Sequence, residues 1–147
     1  MSGITLLIQD PNWRGHRGLQ AKLLTAAEAA RKAGKLKGDF TILLTSDKAL
    51  KALNRDFRGK NKPTNVLSFP SQGRYAGDIA IAHGVTAKEA RTAGKVFADH
   101  AAHLVVHGVL HLAGHDHVRS KDAKLMEPLE VKILARLGIA DPYGAAL

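Results

Sequence analysis

The sequence of 147 residues contains no cysteine. This absence excludes a disulfide scaffold, thiolate zinc sites and cysteine nucleophiles, and it suits a reducing cytoplasm. No apolar run approaches the roughly 20 residues that a membrane span needs, and the first residues lack the basic lead-in and cleavage site of a secretory signal. We therefore expect a soluble, cytoplasmic protein. With 45% hydrophobic residues, residues 1–147 can bury the core of a single domain.

Acidic residues are scarce in the first half of the chain. Residues 1–64 hold 13 basic and five acidic residues, a net charge of +8, whereas residues 65–147 contribute only +1 to the total of +9. A field of this sign attracts polyanions and makes their binding depend on salt. A basic but inert surface is the alternative, and the charge by itself does not separate the two.

The hydrophobic pattern predicts the element order β-α-β-α-β-β-α-α-α, with Ser46 capping the second helix and Thr86 with Glu89 forming a capping box on the third. We expect an α+β fold, in which a small mixed sheet of about four strands is packed with about five helices. The predicted strands are Ile4–Gln9, Phe40–Thr45, Val66–Phe69 and Asp78–Ala82. The predicted helices run over 18–35, from Ser46 to about Arg58, from Thr86, over 95–112 and over 120–136.

Six of the eight histidines fall between His100 and His117. His107 and His111 are four residues apart on a predicted helix, so both imidazoles project from one face. Gly114 can break the helix and let the chain return His117 to the same point. Three histidines with an open fourth position for water are the ligand set of catalytic zinc. The spacing therefore predicts one zinc ion per chain, bound by His107, His111 and His117.

Other residues near this segment keep more than one interpretation. His100 and His103 can be core histidines or can line the cleft. His115 can be a fourth ligand, although it more naturally points elsewhere, and Asp116 can orient a ligand or cap the turn. The spacing equals that of the zinc peptidases with H-E-x-x-H-x-x-G-x-x-H, but Gly108 stands where those enzymes have their general base, which disfavours a peptidase.

A second motif, LNRDFRGKNKPTNVLSFP over residues 53–70, contains a basic loop after a helix. Arg58 can fork two hydrogen bonds onto a phosphate, with Lys60 and Lys62 nearby. Alternatively, these cations simply favour the negative end of the helix dipole.

Together with Gly77-Asp78-Ile79 and HGVLHLAGHDH over 107–117, this motif closely resembles the bacterial YbeY family over roughly residues 45–137. The resemblance implies a metzincin-like helix with the three-histidine zinc site, and Arg58 and His107 at catalytic positions. It also implies a single-strand-specific endoribonuclease that matures the 3′ end of small-subunit rRNA and acts in ribosome quality control. This sequence has His115 where the family usually has tyrosine and Asn65 where it has aspartate. The rival interpretation is a ribosome-binding factor with structural zinc and no catalysis.

Overall fold

A computed structural model describes residues 3–114 and 120–143, with side chains described for 3–114 and 126–143. The element order is the predicted one. The strands are β1 (Ile4–Ile8), β2 (Phe40–Thr45), β3 (Val66–Pro70) and β4 (Gly77–Ala82). The helices are α1 (Leu19–Gly34), α2 (Asp47–Arg58), α3 (His83–Ala93), α4 (Phe97–Leu112) and α5 (Ser120–Arg136).

The four strands form one mixed sheet in the order β1-β2-β4-β3. β1 pairs with β2 and β2 with β4 in parallel, whereas β3 is antiparallel to β4 and lies at the edge. α1 connects β1 to β2, and α2 lies in the connection from β2 to β4, so a helix joins each parallel pair, as is usual for parallel strands. This mixed sheet with five helices confirms the predicted α+β class.

The main core lies between one face of the sheet and α1, α4 and α5. Phe40, Ile42 and Leu44 alternate along β2 and point into it, as the period of a strand dictates. The sequence predicts an apolar stripe on α1 from residues at helical spacing, and all of them are buried: Leu19, Leu23, Ala26, Ala27 and Ala30. Helix α4 is the central element, packing on α1, α3, α5, β3 and β4.

The opposite face of the sheet is covered only in part. A smaller cluster of Leu50, Leu67, Ala80 and Ala82 packs between this face and α2. Leu7 on the outer strand β1 remains 50% exposed. The helices therefore leave an open strip on this side of the sheet, next to the end of α2.

One local expectation was wrong. α3 begins at His83, and Thr86 lies inside it, where its hydroxyl donates to the Ala82 carbonyl, so the Thr86–Glu89 capping box does not form. The helical spacing of Ala49, Leu50 and Leu53 predicts the inner face of α2 and would extend it to Phe57, but Phe57 is 70% exposed. The helical spacing of Leu125, Leu129, Ile133 and Leu137 predicts an apolar stripe on α5. Ile133 is buried and Leu129 and Leu137 pack against the core, while Met126 and Glu130 are buried in addition. Ser46, in contrast, caps α2 as predicted by accepting a hydrogen bond from the Ala49 amide.

Candidate metal centre and nucleic-acid cleft

A cleft of about 810 Å³ brings the two sequence motifs together. His107 and His111 lie on its α4 wall, with their ring centroids 4.7 Å apart. Arg58, Lys60 and Lys62 line the same cleft. Gly114 has φ +97°, the left-handed backbone that ends the helix, as expected. His117, His115 and Asp116 lie outside the described residues.

A buried carboxylate on α5 holds the α4 histidines. Glu130 has no exposed surface, and it accepts hydrogen bonds from His107 Nδ1 at 2.7 Å, His103 Nε2 at 3.0 Å and the Tyr143 hydroxyl at 2.6 Å. Burial would raise the pKa of Glu130, but the bonds from His103, His107 and Tyr143 outweigh it and lower that pKa to about 2. The carboxylate is therefore ionised and can only accept hydrogen bonds.

The ionised carboxylate decides which ring nitrogens carry protons. His107 donates to it through Nδ1, and Nε2 is then the ring nitrogen that a metal-bound histidine uses. His103 donates through Nε2, and within the described chain its buried Nδ1 has no hydrogen-bond partner. His103, His107 and Glu130 also offer ligand atoms within 4.8 Å of one another, a group that can hold a metal ion.

His100 extends the row of histidines along the cleft. Its Nε2 lies 2.9 Å from Glu89 Oε1, and burial lowers the pKa of His100 although the bond to Glu89 acts against this. Asn65 Nδ2 donates to the same Glu89 oxygen at 3.0 Å, while the Val66 amide donates to Asn65 Oδ1. Both His100 and His103 thus line the cleft rather than fill the core. Asn65 therefore links the start of β3 to α3 through its hydrogen bonds with Val66 and Glu89.

The basic loop is held in place by its own backbone. Gly59 at φ +68° ends α2 directly after Arg58, and its amide donates to the Arg55 carbonyl. The buried Asn54 donates to the Lys62 carbonyl at 3.0 Å and folds the loop back onto the helix.

Arg58 is connected to α4, the helix that carries His107 and His111, and does not merely end α2. Its Nη2 donates to the Ser68 carbonyl at 2.8 Å, and Ser68 Oγ donates to the Gly108 carbonyl on α4 at 3.0 Å. Gly108 itself faces the sheet, where an added Cβ would come within 2.8 Å of Ile79 Cγ2. A side chain at this position would meet the sheet and not the cleft.

The matching family model is described as Endoribonuclease YbeY and covers residues 13–138. The chain belongs to the YbeY family. An Endoribonuclease YbeY of Chelativorans sp. is 50% identical over 86% of this chain and 82% of its own. An Endoribonuclease YbeY of Maricaulis maris is 43% identical over 97% of this chain and 92% of its own. The solution structure of TM1509 from Thermotoga maritima matches with a TM-score of 0.65 and 28% identity, over 96% of this chain and 99% of that one.

Membership of the YbeY family confirms the family prediction made from the three motifs. The relatives are named as endoribonucleases, enzymes that hydrolyse RNA phosphodiesters, and the resemblance extends well beyond the motif segment. No described helix is both long and apolar enough to cross a membrane. Reasoning from the sequence missed Glu130 and Tyr143. An acid at the spacing Met126, Glu130, Ile133 within an apolar helix was the available signal for Glu130, and Tyr143 has no comparable signal.

Proposed function

We propose that residues 1–147 form one zinc-dependent, single-strand-specific endoribonuclease domain. It acts in the cytoplasm, in 3′-end maturation of small-subunit rRNA and in ribosome quality control. The observation that carries this proposal is the shared cleft: in a member of the YbeY family, Arg58, Lys60 and Lys62 line the same space as His107 and His111. Such a cleft presents cations to phosphates directly beside metal-binding imidazoles.

One zinc ion per chain would be held by His107, His111 and His117. The hydrogen bond from His107 Nδ1 to Glu130 supports this assignment, because a carboxylate that accepts such a bond is the usual partner of a metal-bound histidine. Both oxygens of Glu130 already accept hydrogen bonds. We therefore assign Glu130 to orienting His107, and not to the metal as part of the group with His103.

When bound, the zinc ion supplies Lewis-acid chemistry that polarises the phosphodiester and activates water near neutral pH. Arg58 would turn its guanidinium onto the non-bridging oxygens of the scissile phosphate, whose negative charge grows in the transition state. Lys60 and Lys62 bind neighbouring phosphates. Glu130 keeps His107 in one tautomer and one orientation.

The peptidase alternative loses further support from the position of Gly108. The Cβ of a glutamate at that position would come within 2.8 Å of Ile79 Cγ2 on the sheet, so its side chain would start toward the sheet and not toward the cleft. A non-catalytic factor with structural zinc predicts that the purified, zinc-loaded parent does not cleave RNA, so cleavage by the parent that is lost in Arg58→Ala separates the enzyme from it.

The test compares Arg58→Ala and Arg58→Lys with the parent on a single-stranded RNA. Losing one positioned donor to a developing charge costs roughly a hundredfold or more in rate, so Arg58→Ala should keep its zinc and its fold while losing most cleavage. Arg58→Lys should recover only part, because an ammonium lacks the planar fork. Parent-level cleavage by Arg58→Ala would reject the phosphate contact.

The control for the metal assignment is His111→Ala, measured by elemental analysis of the purified protein. We expect a sharp drop in zinc content because one of three ligands is removed. Full occupancy in this variant would contradict the proposed ligand set, whatever the outcome for Arg58.

A further inference from the structure

An apolar groove of about 850 Å³ lies on the open strip of the sheet. We name it the Phe57 groove; its apolar side chains are Leu7, Leu43, Leu53, Phe57 and Phe69. Phe57 is 70% and Leu7 50% exposed, so the groove presents large apolar side chains that the fold does not bury. Contiguous exposed apolar surface commonly marks a binding site.

The aromatic ring of Phe57 is restrained although it is exposed. The edge-to-face pair with Phe69 has a centroid distance of 5.6 Å and an interplanar angle of 67°. Phe69 belongs to a strand and Phe57 to the last turn of α2, so both rings are carried by regular structure. A restrained, exposed ring can accept a flat partner with little loss of conformational entropy.

The Phe57 groove continues the cleft of the metal centre. Arg58 and Ser68 line both spaces. The Arg58 guanidinium bonds to the carbonyl of Ser68 on the edge strand β3 and lies 6.0 Å from the ring centroid of Phe69. A polyanion bound at Arg58, Lys60 and Lys62 therefore needs only to cross this strand to reach Phe57.

Part of the groove lining is polar. Asp78 lines it, and the Tyr75 hydroxyl bonds both to the Asp78 carboxylate and to Thr41. A carboxylate at this position can accept hydrogen bonds from the amino group of a nucleobase. The groove thus combines one cation, Arg58, with an exposed aromatic ring and a polar acceptor.

We propose that the Phe57 groove is a nucleobase subsite, in which one base of the RNA strand leaving the cleft stacks on Phe57. The inference rests on the proposed endoribonuclease function and adds where the strand goes. Cations that follow the backbone beside an aromatic platform are the general design of single-strand binding. A protein partner would also bury an apolar groove, but the arginine shared with the cleft favours a ligand that carries phosphates.

The experiment measures binding of a short single-stranded RNA containing 2-aminopurine, by stopped-flow fluorescence before cleavage proceeds. Alanine substitution of a stacking aromatic weakens binding about 5- to 150-fold per base, so Phe57→Ala should fall in this range. Phe57→Trp should retain the affinity, and Phe57→Leu should lose much of it because an aliphatic side chain has no π-face. The control is Val96→Ala. Val96 is 64% exposed and lines neither the cleft nor the Phe57 groove.

An RNA with one abasic position, moved along the strand, identifies the stacked base. At one position the weakening caused by Phe57→Ala should disappear, because the missing base can no longer stack. Parent-level RNA binding by Phe57→Ala, while neutralising Lys60 and Lys62 still weakens it, would overturn the subsite and leave the proposed function standing. Absence of any RNA cleavage by the zinc-loaded parent would instead overturn the proposed function.

Discussion

The buried carboxylate of Glu130 gives the sharpest test of how the site is held. Its two oxygens accept hydrogen bonds from three donors, on His107, His103 and Tyr143. Glu130→Gln keeps the shape of the side chain but removes the charge and replaces one acceptor with an amide that donates. At least one of the three bonds must then break or reverse.

The magnitude follows from these bonds. A hydrogen bond to a charged group contributes about 1.5–3 kcal/mol, so breaking one should lower the free energy of unfolding by about that amount. Removing the carboxylate partner of a metal-bound histidine typically costs about 10–100-fold in metal affinity. We expect Glu130→Gln to bind zinc more weakly than the parent. We also expect its zinc-free form to have a lower free energy of unfolding than the zinc-free parent.

The assay pairs zinc titration against a competing chelator with urea unfolding of the zinc-free protein. Glu127→Gln is the matched control, because Glu127 lines the same cleft on the same helix and the substitution removes the same charge. Zinc affinity unchanged in Glu130→Gln, or lowered equally in both variants, would refute the role of Glu130 in orienting His107. If zinc-free Glu130→Gln had the same free energy of unfolding as the zinc-free parent, the energy assigned to the hydrogen bonds of Glu130 would be refuted.

Two further predictions concern packing and charge. Gly108→Ala places a methyl group 2.8 Å from Ile79 Cγ2. Such overpacking costs about 1–3 kcal/mol, whereas alanine gains about 1 kcal/mol in helix propensity. The variant should therefore unfold at a lower temperature than the parent. An unchanged or higher midpoint would mean that α4 can move off the sheet. Neutralising Lys60 and Lys62 together should reduce the slope of log RNA affinity against log salt by about 0.7 for each phosphate that the protein no longer binds. An unaltered slope would place the RNA elsewhere.

Much of the fold was predictable because it depends on local sequence. The alternating apolar residues of β2 and the Ser46 cap of α2 are signals written within a few neighbouring residues. Thr86 failed as a cap because His83 directly continues β4 into α3, and a local motif cannot reveal where the preceding strand ends. Phe57 failed as a core residue because α2 covers only part of the sheet beneath it.

For the site, the sequence by itself predicted the kind of chemistry. The spacing of His107 and His111, the glycine at 114 and the arginine at the end of a helix predict a metal site and a phosphate contact without any coordinates. The motifs also predicted membership of the YbeY family, because their residues and their order along the chain can be read from the sequence alone.

Only the tertiary structure decided what stands behind and beside those residues. Glu130 reaches His107 from 23 residues away, and Ser68 joins Arg58 to α4 across 40 residues. Such contacts depend on how α5 and the edge strand pack on α4, and side-chain packing between distant segments leaves no periodic trace in the sequence. The exposed ring of Phe57 has the same origin, since exposure depends on which elements fail to cover a surface.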